Sequence, residues 1–164
     1  RKRQSLVLEH SLADTITLGF SDRLARLGWI PRAEEERSVK SAIESYSIRA
    51  TSGAQVVGTL SGGNQQKAVI ARWLGREPKL LILDEPTRGV DVGAKAEIHR
   101  LIEDLAKDGR AVLLISSDLP ELLALSDRIS VLRSGRIARS FVRGDVDESS
   151  VLLAASGVDS EVSP

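Results

Sequence analysis

Residues Lys79 to Asp91 read Lys-Leu-Leu-Ile-Leu-Asp-Glu-Pro-Thr-Arg-Gly-Val-Asp, and this stretch decides the fold. Four consecutive apolar residues, Leu80 to Leu83, run directly into two carboxylates, Asp84 and Glu85. An unalternating apolar run of this length suits a strand covered on both faces, as in a parallel sheet with helices on either side. Pro86 cannot donate to a sheet ladder, so the strand is expected to end at or just before it. The two acids then stand at the carboxyl edge of a parallel sheet, where open α/β folds bind ligands. Asp84 is suited to hold a magnesium ion through water, and Glu85 to orient or deprotonate an attacking water. Taken alone, the same residues also fit a buried strand that ends in a solvated acidic turn.

Upstream lies Leu60-Ser61-Gly62-Gly63-Asn64-Gln65-Gln66-Lys67. Ser61 is a good helix N-cap, and Val69, Ile70, Trp73 and Leu74 form an apolar stripe that ends near Gly75 and Pro78. Two glycines in a first turn cost helix stability, up to ~1 kcal/mol each relative to Ala. A helix tolerates that cost where something must approach its backbone closely. Its first N–H groups and positive dipole end form an anion site, for which phosphate is the natural occupant. A flexible loop leading into an ordinary capped helix fits the same letters.

Further upstream, Ser11 is a candidate cap before Leu12, Ile16 and Leu18. Pro31 to Tyr46 reads as a helix, with Pro31 in its first turn, Glu34 to Glu36 at its positive end, and Val39, Ile43 and Tyr46 at helical spacing. Downstream, Gly93 to Lys107 reads as a helix with Ile98, Leu101, Ile102 and Leu105 on one face, stopped by Asp108-Gly109. Ala111 to Ile115 is a second apolar strand ending in Ser116-Ser117-Asp118. Leu119 to Leu125 is a short helix with Pro120 at its start. Ile129 to Leu132, a Ser134-Gly135 turn and Arg136 to Phe141 form a hairpin. Val151 to Ala155 reads as a last helix and the tail from Gly157 as frayed. Strands alternating with helices place the chain in the α/β class.

Composition narrows the function classes. The chain has 164 residues, 41% apolar and 28% charged, enough for one domain with a real core. Lys plus Arg equals Asp plus Glu at 23 each, so no global field points to nucleic acid as a partner. Arg1-Lys2-Arg3 is a local basic cluster of the kind that is usually solvated. The absence of Cys excludes disulfides and thiolate metal sites. No apolar run approaches the ~20 residues that a membrane helix needs. Leu6-Val7-Leu8 is cut short by Glu9 and His10, which is not a signal peptide. The chain has no Met and starts at Arg1, so it is expected to be a piece of something longer.

Three segments in order, Leu-Ser-Gly-Gly-Asn-Gln-Gln, the apolar-Asp-Glu-Pro-Thr strand end and Gly-Val-Asp, resemble the ATP-binding cassette (ABC) ATPases. Leu60 to Gln65 resembles their signature motif, Leu80 to Glu85 their Walker B motif, and Gly89 to Asp91 their D-loop. The wording from Leu60 to Lys67, from Leu83 to Ile98 and from Ile115 to Ile129 is similar to the second cassette of the double-cassette ATPases of ribose-type monosaccharide importers. The likeness runs from Arg1 to about Ala155. No Gly-Lys pair occurs, so the family's phosphate loop (Walker A) is absent from these residues. The resemblance therefore implies a partial P-loop NTPase-like cassette. Its helical subdomain would span 1–75, with the signature at 60–67. A partial RecA-like core would span 76–156 and a tail 157–164.

The resemblance also implies a mechanism. Two cassettes, in one chain or two, sandwich two ATP molecules with Mg2+. Ser61, Gly62, Gly63 and Gln65 would face the ATP held by the partner cassette, and Asp91 would couple the two sites. Asp84, through water, would serve the Mg2+ at this cassette's own nucleotide, and Glu85 its hydrolysis. The chain by itself is expected to be inactive. Most cassettes carry a switch His where this chain has Ser117, and a hydroxyl has no titratable proton near neutral pH. A degenerate, regulatory cassette is therefore the competing reading. His10 and His99 are assigned surface or packing roles. Implied partners are the permease subunits, received near residues 1–20, and a periplasmic sugar-binding protein acting indirectly. Nucleic acid is not among them. The implied location is the cytoplasmic face of the bacterial inner membrane. A cassette of DNA repair or translation is disfavoured by the wording from Asp84 to Ile98.

Overall fold

Ser11 opens the first helix with a reciprocal capping box. Its Oγ accepts from the Asp14 N–H at 3.0 Å, and the Asp14 carboxylate accepts from the Ser11 N–H at 3.3 Å. Helix α1 (Leu12–Thr17) follows, as the Ser-x-x-Asp pattern demands. The computed structural model describes residues 6–157. Arg1-Lys2-Arg3, and the tail beyond Gly157, lie outside the described residues.

Helix α2 is a single turn (Ser21–Leu24), and α3 spans Arg32–Ser45 with Pro31 at its N-cap rather than inside its first turn. Between them Arg26 and Trp29 exchange both backbone hydrogen bonds, and Leu27 and Gly28 take positive φ. This is a tight two-residue turn with no Asn-Gly or Asp-Gly signal in its sequence. After the 3₁₀ turn Val57–Thr59 comes α4, Gly62–Leu74. Leu12, Ile16, Phe20, Val39, Ile48, Val57, Leu60, Ala68 and Ala71 form one core against which α1, α3 and α4 pack. Trp73, expected in the apolar stripe of α4, is half-exposed beneath the Arg72 guanidinium. The buried face is instead Lys67, Ile70, Ala71 and Leu74, the i, i+3, i+4, i+7 spacing of a core-facing helix.

Strand β1 (Leu80–Asp84), α5 (Val92–Lys107) and β2 (Ala111–Ile115) form a strand–helix–strand unit. The Ala111 N–H donates to the Lys79 carbonyl and the Glu85 N–H to the Ile115 carbonyl. Start therefore pairs with start and end with end, and the ladder is parallel. The expectation that β1 is covered on both faces is corrected. Leu81 and Leu83 are buried, but Leu80 is 53% and Ile82 59% exposed. β2 likewise leaves Leu113 and Ile115 half-exposed. Only one side of this two-stranded sheet has a packed layer among the described residues, so the apolar run alternates in burial despite its uniform chemistry.

Helix α6 (Leu119–Leu125), β3 (Arg128–Arg133), β4 (Arg136–Val142) and α7 (Glu148–Ser156) complete the order. β3 and β4 pair antiparallel through Ser134 and Gly135, both at positive φ. Helix α7 begins earlier than the apolar letters indicate, because the Asp147 carboxylate accepts the Ser150 N–H. The Ser150 hydroxyl first, and then that backbone bond, hold the Asp147 carboxyl below its ordinary range. Val131, Phe141 and Val151 make a second core with Leu119, Val146 and Ala154.

The chain forms two compact units. One runs through Leu81 and resumes over Pro86–Val112; the other joins Ile82–Glu85 to the chain from Leu113 onward. In the first unit Gly75, at the end of α4, lies against the Phe20 ring so closely that a Cβ would overlap it. Its backbone is ordinary right-handed helix, so the glycine is there for space and not for conformation. Gly75→Ala is accordingly expected to destabilise the unit by about 1–3 kcal/mol, read as a lowered urea midpoint. An unchanged midpoint would mean that Phe20 can swing clear.

Candidate functional site

The two acids of the Asp-Glu pair receive different settings from the backbone. Asp84 ends β1 in the extended conformation and is exposed. Glu85 leaves the strand at φ 53°, a left-handed position that costs a non-glycine residue about 1–2 kcal/mol. The turn carries the Glu85 carboxylate to the end of β2, where Oε1 accepts the Ser117 N–H at 2.9 Å. Pro86 and Thr87 are buried immediately after it, which holds the strained turn in place. Glu85 and Ser117 are thus brought together, through the Ser117 backbone and not through its hydroxyl. Any residue at 117 except proline can make that bond.

The described residues contain no group of three or more His, Cys, Asp or Glu able to hold a metal ion. Asp84 offers an exposed carboxylate, which suits Mg2+ held by a single carboxylate with waters and phosphate oxygens.

The glycine turn of α4 belongs to the other unit. Ser61 has the extended backbone of an N-cap, but its side chain caps no N–H. Its Oγ instead accepts from Asn64 Nδ2 at 2.9 Å, so the expected Ser61 cap is corrected. In α1, α5, α6 and α7 the corresponding Ser11, Asp91, Asp118 and Asp147 do accept a helix N–H. The first turn of α4 therefore keeps N–H groups that no cap side chain uses, which suits an anion.

The two glycines differ in their surroundings. A Cβ on Gly62 would find only the Gly89 carbonyl at 3.8 Å and Val90 at 4.0 Å, whereas a Cβ on Gly63 would collide with the Ala94 methyl. Gly63 is required by the approach of α4 to α5 before any ligand is considered. Gln65 turns back to donate to the Val57 and Leu60 carbonyls, pinning the preceding 3₁₀ turn. Asp91 caps α5 through the Ala94 N–H at 2.9 Å.

A set of residues without an expected role ties these pieces together. Lys67 falls at helical spacing with Ile70 and Leu74, and is 2% exposed. Its ammonium donates to the Ser47 carbonyl and, at 2.9 Å, to Glu97 Oε2 on α5. The other Glu97 oxygen accepts from the Arg49 guanidinium. The Arg49 N–H donates to Asn64 Oδ1 at 2.8 Å. A buried ammonium is stable only when its donors are matched. A lysine within an inward stripe was the available signal for a carboxylate partner elsewhere in the chain.

The hydrogen bond from Lys67, first, and then the Lys67 and Arg49 charges hold the Glu97 carboxyl below its ordinary 4.5; burial and the Asp91 carboxylate oppose them. A depressed carboxyl contributes stability above its unfolded pKa and loses it as pH falls through the folded one. Glu97→Gln should therefore flatten the acid limb of the stability curve below about pH 4.5. An acid limb identical to that of the unsubstituted protein would show that the pair contributes nothing.

The ABC transporter family model matches residues 1–88. The ribose import ATP-binding protein RbsA 2 of Rubrobacter xylanophilus is 49% identical over 158 residues, covering 96% of this chain and 30% of that protein. The ribose import ATP-binding protein RbsA of Chromobacterium violaceum is 50% identical over 157 residues, 96% of this chain and 31% of that protein. This chain thus spans about a third of the length of these curated relatives. Among solved structures, an inward-facing ABC transporter of metal-chelate type superposes with a TM-score of 0.77 at 21% identity, over 91% of this chain and 59% of that one. A dimeric ATP-binding cassette in a post-hydrolysis state with ADP and Pi gives 0.69 at 22% identity, over 84% of this chain and 58% of that one. These two likenesses are of fold, and with the family match they make this chain a member of the ABC transporter family.

Proposed function

We propose that this chain is the later part of the second nucleotide-binding cassette of an ATP-driven monosaccharide importer, at the cytoplasmic face of the bacterial inner membrane. The observation that carries the reading is its 49% identity to a ribose import ATP-binding protein along nearly its whole length. Residues 1–75 then act as the helical subdomain and 76–156 as part of the core. Ser61, Gly62 and Gly63 meet the terminal phosphate of ATP held by the partner cassette, with Gln65 securing the turn behind them. The uncapped N–H groups of α4 support this, since they are aligned donors at a positive helix end.

At this cassette's own site Asp84 would hold Mg2+ through water, and Glu85 would orient the attacking water. The strained Glu85 backbone and its bond to the Ser117 N–H fix the carboxylate before any nucleotide arrives. ATP, when bound, supplies the phosphoanhydride whose cleavage drives transport. Asp91 links the two sites. The permease is received near residues 1–20, and the periplasmic sugar-binding protein acts only through it.

The second reading is a regulatory cassette that completes its partner's site and turns over little itself. Ser117 favours it, because the side chain has no titratable proton, and its contact with Glu85 uses the backbone alone.

The tests belong in the full-length double-cassette protein with its permease. Gly62→Ala has room within the chain, so it reports on the phosphate contact and not on folding. It should lower ATP hydrolysis and sugar uptake at least about tenfold; near-normal turnover would end the signature assignment. Glu85→Gln should reduce uptake only partly if the cassette is regulatory, and abolish it if the cassette is a working half. Ser117→His should leave transport nearly unchanged, whereas a several-fold rise in hydrolysis would overturn the regulatory reading. The present chain alone, given magnesium ATP, should hydrolyse it no faster than its own Glu85→Gln variant.

A further inference from the structure

Lys67 is buried to 2% exposure on a helix that begins at the phosphate-facing turn, yet it lies too far along that helix to touch a ligand there. The helical rise places its Cα about 7.5–9 Å beyond Gly62 and Ser61. Its charge is spent inside the protein, on Ser47 and on Glu97. Glu97 sits on α5, six residues after the cap residue Asp91. From Glu97 the hydrogen bonds continue through Arg49 and Asn64 to the hydroxyl of Ser61. The loop closes where Gly63 and Ala94 bring α4 and α5 together. A ring thus joins Ser61, Asn64 and Lys67 on α4, Arg49 in the preceding loop, and Glu97 with the Asp91 cap on α5.

We infer that Lys67 is a positioning residue, whose pair with Glu97 welds the glycine turn of α4 to the Asp91 end of α5 so that both move as one body. This rests on the reading of those two ends as the motifs facing the partner cassette. The weld has a physical reason. A helix end held only by apolar packing can slide or roll by fractions of an ångström, since such contacts are weakly directional. An ammonium with two fixed acceptors, opposite a carboxylate with two fixed donors, is directional and short in range. The Gly63–Ala94 approach sets the distance between the helices. The Lys67–Glu97 pair, four residues further along α4, sets their rotation. Misplacing a phosphate-facing turn by about 1 Å can lower turnover about a hundredfold, so a rigid pair of motifs matters more to rate than to binding. Arg49 contributes a second cation to Glu97 from the rim, where it is largely exposed. The buried Lys67 is the member that holds direction.

The test uses the full-length double-cassette protein assembled with its permease. Lys67→Ala is expected to lower kcat for ATP hydrolysis about tenfold while KM for ATP changes less than about threefold. Lys67→Arg should retain kcat within about threefold, because its planar head can still reach a carboxylate. Glu97→Gln should fall with Lys67→Ala, and the double variant should be no worse than either single one, as expected for partners in one interaction. If kcat per folded complex stays within about twofold of the unsubstituted protein in both Lys67→Ala and Glu97→Gln, the pair is merely structural and the inference is wrong. Should Lys67→Ala fail to assemble, the partly exposed Glu97→Gln decides alone.

A readout independent of turnover separates this inference from the proposed function. Amide hydrogen exchange in 61–65 and 91–94 should accelerate together, about tenfold in Glu97→Gln, while that of α1 is unchanged. If only one of the two segments loosens, the weld is refuted even in an active transporter. If both loosen together in a complex that never hydrolyses ATP, the weld stands and the transport ATPase reading falls.

Discussion

The close approach of α4 to α5 is the constraint on which the first unit depends. Gly63 and Ala94 meet with no space for another methyl group, so the two helix starts are held at backbone distance. Everything that could act on a ligand there hangs from this contact. Gly62 faces open space beside the Gly89 carbonyl, Ser61 is turned inward to Asn64, and Asp91 is committed to capping α5. Close packing alone would fix only separation. The buried Lys67–Glu97 pair adds a directional bond between the same two helices. Apolar contact and ion pair thus divide distance from orientation between them.

The second unit answers a different problem with strain instead of charge. Glu85 has to leave β1 and bring its carboxylate to the end of β2. A left-handed backbone at Glu85 itself achieves this. The Ser117 N–H then takes one carboxylate oxygen at the end of the neighbouring strand. Asp84, one residue earlier, keeps extended geometry and stays open to solvent. Two adjacent acids therefore acquire different settings from backbone conformation alone. The bond to Glu85 uses only the backbone at position 117 and needs no particular side chain there.

Letters alone determined most of the element order: an apolar run ended before Pro86, a helix opened by two glycines, a Ser-Gly hairpin and a Ser11 cap each have a local physical cause. The single turn Ser21–Leu24 and the tight turn from Arg26 to Trp29 carry no such signal. Motif order identified the family, because phosphate-facing turns and paired acids impose short, recognisable spacings. What tertiary structure decided depends on partners distant in the chain. Letters could not tell that β1 buries Leu81 and Leu83 while exposing Leu80 and Ile82, since a uniform apolar run carries no sign of which face is packed. Nor could they assign Ser61 to Asn64 in place of a helix N–H, or give Gly63 a packing role, because both depend on neighbours brought in by the fold. Lys67 marks the boundary most clearly. The stripe legible in the letters, Val69, Ile70, Trp73 and Leu74, leaves Lys67 out, and only the folding of α5 against α4 buried it and named Glu97, thirty residues away.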